Sequence, residues 1–228
     1  MLNDVLVALA TAPMESAIGV IRVSGEDSFN LLSKIFSKKI NIEPHKAYFG
    51  NIVDNNEIID EVIITTFVAP RSFTGENSFE INCHGGMFII NKIIKTCIKN
   101  GARMASKGEF SKRSYLNGKI DLIQAEAIND MIRATSEEES KLAVLSLKGS
   151  TSKMILEVKE KLLQIVSNIE VNIDYPEYDD AEVITKENAK EKLIQLRSDI
   201  KEIIKDASIG KIIKDGIKVA IIGKPNVG

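Results

Sequence analysis

The sequence predicts an α+β protein in which a mixed α/β domain over residues 1–118 precedes an all-helical domain over residues 119–216. Three observations carry that reading. In the first half, short runs rich in Val, Ile and Phe are separated by polar turns, the period-two signature of strands. From Asp121 onward, apolar residues recur every three or four positions, the helical period. At the end, the β-branched run Lys218–Ile222 leads straight into Gly223-Lys-Pro-Asn-Val-Gly228. That predicts the first strand and opening loop of a further domain over residues 217–228.

Strands are expected over Asp4–Ala10 and Ala17–Ser24, divided by the turn around Pro13. Arg22 stands in an otherwise apolar strand, either as an edge charge facing solvent or as a cation aimed at a ligand. Ser24 is placed to cap a helix over Glu26–Phe36 with Leu31, Leu32 and Ile35 inward. Ala47–Val53 and Glu61–Val68 read as strands around Asp54-Asn-Asn56. Ser78–Cys83 follows, with Phe79, Ile81 and Cys83 on one face and Glu80, Asn82 and His84 on the other. Gly85-Gly86 opens a helix over Met87–Asn100, closed by Gly101 as a left-handed cap. Such a double-Gly turn can hold an anion or serve as a plain turn.

Residues 107–119 connect the two halves. Asp121 with Gln124 forms a capping box for a helix over Leu122–Ala134, and Ser136 with Glu139 forms a second. Gly149 is placed to interrupt that second helix. Beyond it, Ile155, Val158, Leu162, Ile165 and Ile169 predict a buried helix seam. The acidic stretch Asp174–Glu182 is a solvated turn or a hard-cation site. Thr185 caps a last helix striped with Ala189, Leu193, Leu196, Ile200, Ile203 and Ala207, and Gly210 and Gly216 bracket a linker.

A net charge of −2 over 228 residues gives no basic footprint, so any nucleic-acid contact must use a local patch or another part of the protein. Cys83 and Cys97 are too few for a disulfide framework and suit a reducing, cytoplasmic setting. The start Met-Leu-Asn-Asp lacks signal-peptide features, and no run approaches the ~20 apolar residues of a membrane span. His84 by itself reads as a hydrogen-bonded structural histidine. No nucleophile–base pair or metal set stands at recognisable spacing.

A phosphate-binding loop needs Gly-x-x-x-x-Gly so that its amides can curl around phosphate, then a Lys, then a Ser or Thr for Mg²⁺. The Lys and the hydroxyl would fall just past Gly228. This stretch alone is therefore not expected to hydrolyse a nucleotide.

Taken together, Gly19-Val-Ile-Arg-Val-Ser-Gly25, Ser72-Phe-Thr-Gly-Glu76, Glu80-Ile-Asn-Cys-His-Gly-Gly86, Gly108-Glu-Phe110, Leu116-Asn-Gly-Lys-Ile-Asp-Leu122, Gln124-Ala-Glu-Ala127 and Asn172-Ile-Asp-Tyr-Pro176 resemble, in order, the N-terminal part of the MnmE (TrmE) family of bacterial tRNA uridine-modifying GTPases. The resemblance implies a first domain similar to folate-binding aminomethyltransferase domains, which also forms the homodimer. An incomplete helical domain follows, interrupted by a Ras-like GTPase domain. It implies contacts to 5-formyltetrahydrofolate from Arg22, Glu80 and Lys119, and a partial P-loop at Asn226, Val227 and Gly228. In the full-length protein Asn226 would also help hold K⁺ beside Mg²⁺ and GTP. The implied reaction installs a carboxymethylaminomethyl group at the wobble uridine of tRNA, using a tetrahydrofolate carbon and the flavoenzyme MnmG as partner. A stand-alone folate-dependent one-carbon transferase and a non-enzymatic helical scaffold are the alternatives.

Overall fold

The computed structural model describes residues 4–174, 185–216, 219–220 and 222–223. The chain divides after Ile120 into two compact units, so Lys119 lies in the first of them.

The first unit is a six-stranded mixed sheet. Its strands are β1 (Val5–Leu9), β2 (Ile18–Ser24), β3 (Lys46–Asp54), β4 (Glu57–Phe67), β5 (Ser78–His84) and β6 (Ala102–Met104), in the order β3-β4-β5-β2-β1-β6. Every neighbouring pair is antiparallel except β1 with β6. Strand alternation sends Ile21, Val23, Ile64, Phe79 and Ile81 to one face. There they meet Leu31, Leu32 and Ile35 of α1 (Ser28–Ile35) and Ile90, Ile93 and Cys97 of α2 (Met87–Lys99) in a single core. The hairpin between β3 and β4 turns on Asn55 and Asn56, whose φ values of 50° and 67° are the left-handed pair that a two-residue primed turn demands. Gly101, with φ 108°, follows the end of α2.

Two local expectations are corrected here. Ser24 does not cap α1, which starts later, at Ser28. It is the last residue of β2, and its hydroxyl turns with Arg22 toward the opposite face. The stretch read as a connector, residues 107–119, holds an eight-residue helix, α3 (Glu109–Leu116). Its sequence, Glu-Phe-Ser-Lys-Arg-Ser-Tyr-Leu, has too few apolar residues to show a periodic stripe.

The second unit contains α4 (Leu122–Arg133), α5 (Glu137–Leu147), α6 (Ser150–Asp174) and α7 (Lys186–Asp215). Asp121 and Gln124 form the reciprocal capping box on α4, and the Ser136 hydroxyl accepts the Glu139 amide at 3.1 Å on α5. Gly149, at φ 81°, separates α5 from α6. Thr185 accepts the Asn188 amide at 3.2 Å and so caps α7.

The expected buried seam is only partly formed. Ile165 of α6 and Leu196 of α7 are buried, while Ile155, Leu162 and Leu193 are exposed by 51%, 44% and 43%. Two long helices cover each other along a narrow strip. α5 also touches both helices, yet these apolar positions remain exposed. The linker expected from Gly210 is also corrected: α7 runs through Gly210 to Asp215. Glycine weakens a helix by ~1 kcal/mol without ending it, and the end falls at Gly216, where φ is 68°. The predicted strand Lys218–Ile222 is not seen at Val219, Ala220 and Ile222, which are described and lie in no strand, and Lys218 and Ile221 lie outside the described residues. So does the acidic stretch beyond Asp174, and so do Asn226, Val227 and Gly228. No helix among the described residues is long and apolar enough to cross a membrane.

Candidate functional site

The side chains that alternation turns away from α1 and α2 build the site. Arg22 and Ser24 on β2 stand opposite Glu80 and Ser78 on β5 in register. Arg22 Nε and Nη2 donate to Glu80 Oε1 at 2.8 and 2.6 Å. Among the described residues no donor reaches Glu80 Oε2, which leaves half of that carboxylate open. The guanidinium lies 5.5 Å from the ring of Phe73 and 5.8 Å from that of Phe110, within cation–π range. Arg22, Ser24, Phe67, Phe73, Thr74, Ser78 and Glu80 line a small cleft of about 90 Å³.

One wall of the cleft is the loop carrying Ser72-Phe-Thr-Gly-Glu76, and buried polar contacts fasten it from two sides. Ser24 Oγ meets Thr74 Oγ1 at 2.7 Å and donates to Glu76 at 2.8 Å. From α3, Ser114 donates to the Phe73 carbonyl and Asn117 to the Thr74 carbonyl, each at 2.7 Å. Arg113, only 1% exposed, donates to Glu76 at 3.1 Å and to Asp4 Oδ1 at 2.5 Å. Arg103 joins Asp4 and Glu109, each at 2.6 Å. The Arg103 hydrogen bond, helped by the Ser106 amide, holds the Glu109 carboxyl down to about 2. At Asp4 burial pushes the carboxyl up, but hydrogen bonds from Arg103 and Arg113 outweigh it and leave it below the usual aspartate value.

The structure brings Arg22 and Glu80 together. Lys119 does not line the cleft: its ammonium donates to the Pro70 carbonyl at 2.9 Å and its stem lies against Gly75 of the same loop. It is linked to the pair through that loop. Phe73, Phe110 and Arg113 are site residues that reading the sequence did not single out. Their signal lay in the company they keep, since Phe73 sits within Ser72–Glu76 and Phe110 closes Gly108-Glu-Phe.

The neighbouring motif residues take structural places. His84 gives its ring to Asp60, with Nδ1 2.6 Å from Oδ1, and its amide to Oδ2 at 2.8 Å. The Gly85 amide goes to the Ala17 carbonyl at 3.2 Å, so it does not face an anion. A side chain at Gly85 would collide with the Ser16 carbonyl, which explains the glycine as a close backbone approach. Cys83 and Cys97 are buried free thiols, pushed up by burial to about 11 and about 12.

Two family models cover almost all of the chain. The one described as GTP-binding protein TrmE N-terminus matches residues 5–119, and the MnmE helical domain matches residues 122–219. The chain belongs to the MnmE (TrmE) family. Among its curated relatives is the tRNA modification GTPase MnmE of Ligilactobacillus salivarius, 43% identical over 230 residues, 99% of this chain and 49% of that protein. The protein of the same name from Bacillus mycoides is 44% identical over 229 residues, 99% of this chain and 50% of the relative. That of Ureaplasma parvum is 49% identical over 223 residues, 98% and 51% of the two chains. The chain thus spans about half the length of the curated relatives it matches. Within this MnmE-family chain, the sheet unit with the Arg22–Glu80 cleft falls under the N-terminal match, and the four helices fall under the helical match.

Proposed function

We propose that this chain is the folate-binding and dimer-forming part, with the first portion of the helical domain, of a tRNA-modifying GTPase. The whole protein then forms 5-carboxymethylaminomethyluridine at the tRNA wobble position with the flavoprotein MnmG, in the cytoplasm, taking its carbon from a tetrahydrofolate. GTP, Mg²⁺ and K⁺ belong to the G domain whose loop begins at Gly223 and includes Asn226, Val227 and Gly228. The names of the relatives support the tRNA-modification and GTPase parts of this reading.

The observation that carries the folate part is the Arg22–Glu80 pair, with the guanidinium in reach of Phe73 and Phe110. A reduced pterin presents an amino group and a ring N–H side by side, which a carboxylate accepts as a pair. Glu80 has the open oxygen for this, the phenyl rings suit a flat heterocycle, and Arg22 supplies a donor for the ring's carbonyl. Lys119 reaches the same ligand if it leaves the Pro70 carbonyl. When bound, the folate supplies the one-carbon unit, and these residues hold and orient its ring.

Titration of 5-formyltetrahydrofolate into the purified chain tests this. Saturable binding that Glu80→Ala weakens supports it. No binding by the wild-type chain would leave a helical scaffold as the better description.

A further inference from the structure

Glu80, Asn82 and His84 lie on one face of β5, and four residues of strand separate Glu80 from His84 by ~13 Å. This is the face opposite α1 and α2. The cleft at its Ser24–Ser78 end, at about 90 Å³, has room for the edge of a ring and not for a whole folate, since ligand pockets usually run to ~300 Å³ or more. The rest of any long ligand seated on Glu80 must lie outside it. Along the same face, Ile63 sits beside Asn82 in register and is 47% exposed, which offers an apolar step on the way to His84.

His84 is held in a way that a solvent-facing histidine does not need. Its side chain is 72% exposed, yet both oxygens of the largely buried Asp60 are used on it, one for its amide and one for Nδ1. The ring is therefore fixed with Nδ1 committed. Nε2 has no partner among the described residues, and in the imidazolium it is an N–H donor.

Resting on the folate reading above, we infer that His84 is the distal subsite of the same ligand and receives the carboxylate of its glutamate tail. Counted along its bonds, the tetrahydrofolate frame places those carboxylates on the order of 15 Å from the amino edge of the pterin, close to the Glu80–His84 span. Asp60 acts as the positioning residue that aims the imidazole along the face.

The test compares 5-formyltetrahydrofolate with the same molecule carrying both tail carboxylates as methyl esters, in calorimetric titrations of the wild-type chain, His84→Ala, His84→Gln and Glu80→Ala. The wild-type chain is expected to prefer the free acid about ten-fold, the size of one exposed charge-assisted hydrogen bond. His84→Ala erases that preference, and His84→Gln, which keeps a donor, restores part of it. Glu80→Ala weakens both forms alike. Equal wild-type affinity for acid and ester, or a preference that survives in His84→Ala, overturns the tail subsite while leaving the ring site standing. A wild-type chain that binds neither form overturns the folate reading itself, and this subsite with it.

Discussion

Arg22 and Glu80 are register partners on adjacent antiparallel strands, and their side chains close on each other at 2.6 Å, with the Arg22 guanidinium over two phenyl rings. A salt bridge with partners 33% and 22% exposed is worth about 0–1 kcal/mol to folding, so the pair is better explained by what it can bind than by what it stabilises.

That separation of roles can be measured. Arg22→Ala, Glu80→Ala and Lys119→Ala should each lower folate affinity by ~1.5–3 kcal/mol, the range for a charged hydrogen bond. Each should cost less than ~1 kcal/mol in urea denaturation. Unchanged dissociation constants for Arg22→Ala and Lys119→Ala would remove those two from the ligand's contacts.

Arg113 predicts the opposite pattern. It is buried, and its loss leaves Glu76 without its cation and Asp4 with Arg103 alone. Arg113→Met should destabilise the first unit by ~3–5 kcal/mol and should weaken folate binding further by freeing the Ser72–Glu76 wall. Chemical denaturation of wild-type and variant chains gives the first figure. A variant as stable as the wild type would show that the loop is held by other means.

Glu109 gives a pH dependence of known sign. Its carboxyl titrates at about 2 in the folded chain against an ordinary 4.5. A carboxyl held down in this way adds stability above pH ~4.5 and loses it as the pH falls toward ~2. The loss should amount to on the order of 2 kcal/mol, after allowance for the solvent around Arg103. Stability measured between neutral pH and pH ~3 should therefore fall less steeply in Glu109→Gln than in the wild-type chain.

The paired glycines should behave differently from one another. A methyl group at Gly85 meets the Ser16 backbone, whereas nothing lies within 4 Å of one at Gly86. Gly85→Ala should cost ~1–3 kcal/mol through overpacking, and Gly86→Ala should be within ~0.5 kcal/mol of the wild type. Thermal denaturation of the two variants side by side decides it.

Much of this architecture was legible residue by residue. The β3–β4 hairpin follows from Asn55-Asn56, the start of α4 from Asp121 and Gln124, and the break before α6 from Gly149, because turns and caps are settled by atoms a few positions apart. Glu80 facing away from Phe79 and Ile81 is likewise fixed by strand alternation alone. The helix α3 was not legible, since it is held by what Arg113, Ser114 and Asn117 reach across the fold and not by an apolar stripe of its own. Ser24 was read as a helix cap because its distant partners, Thr74 and Glu76, leave no trace in its local sequence.

The sequence by itself therefore determined the order of the strands and helices other than β6 and α3, the two faces of the sheet and, through its ordered motifs, the family. Tertiary structure alone decided that Arg22 meets Glu80 within reach of Phe73 and Phe110, that Lys119 turns to the Pro70 carbonyl, and that the α6 seam stays largely uncovered. The physical reason is range. Backbone preferences act over a few residues, whereas a site, or the burial of a helix face, exists only once segments far apart in the chain have been brought into contact.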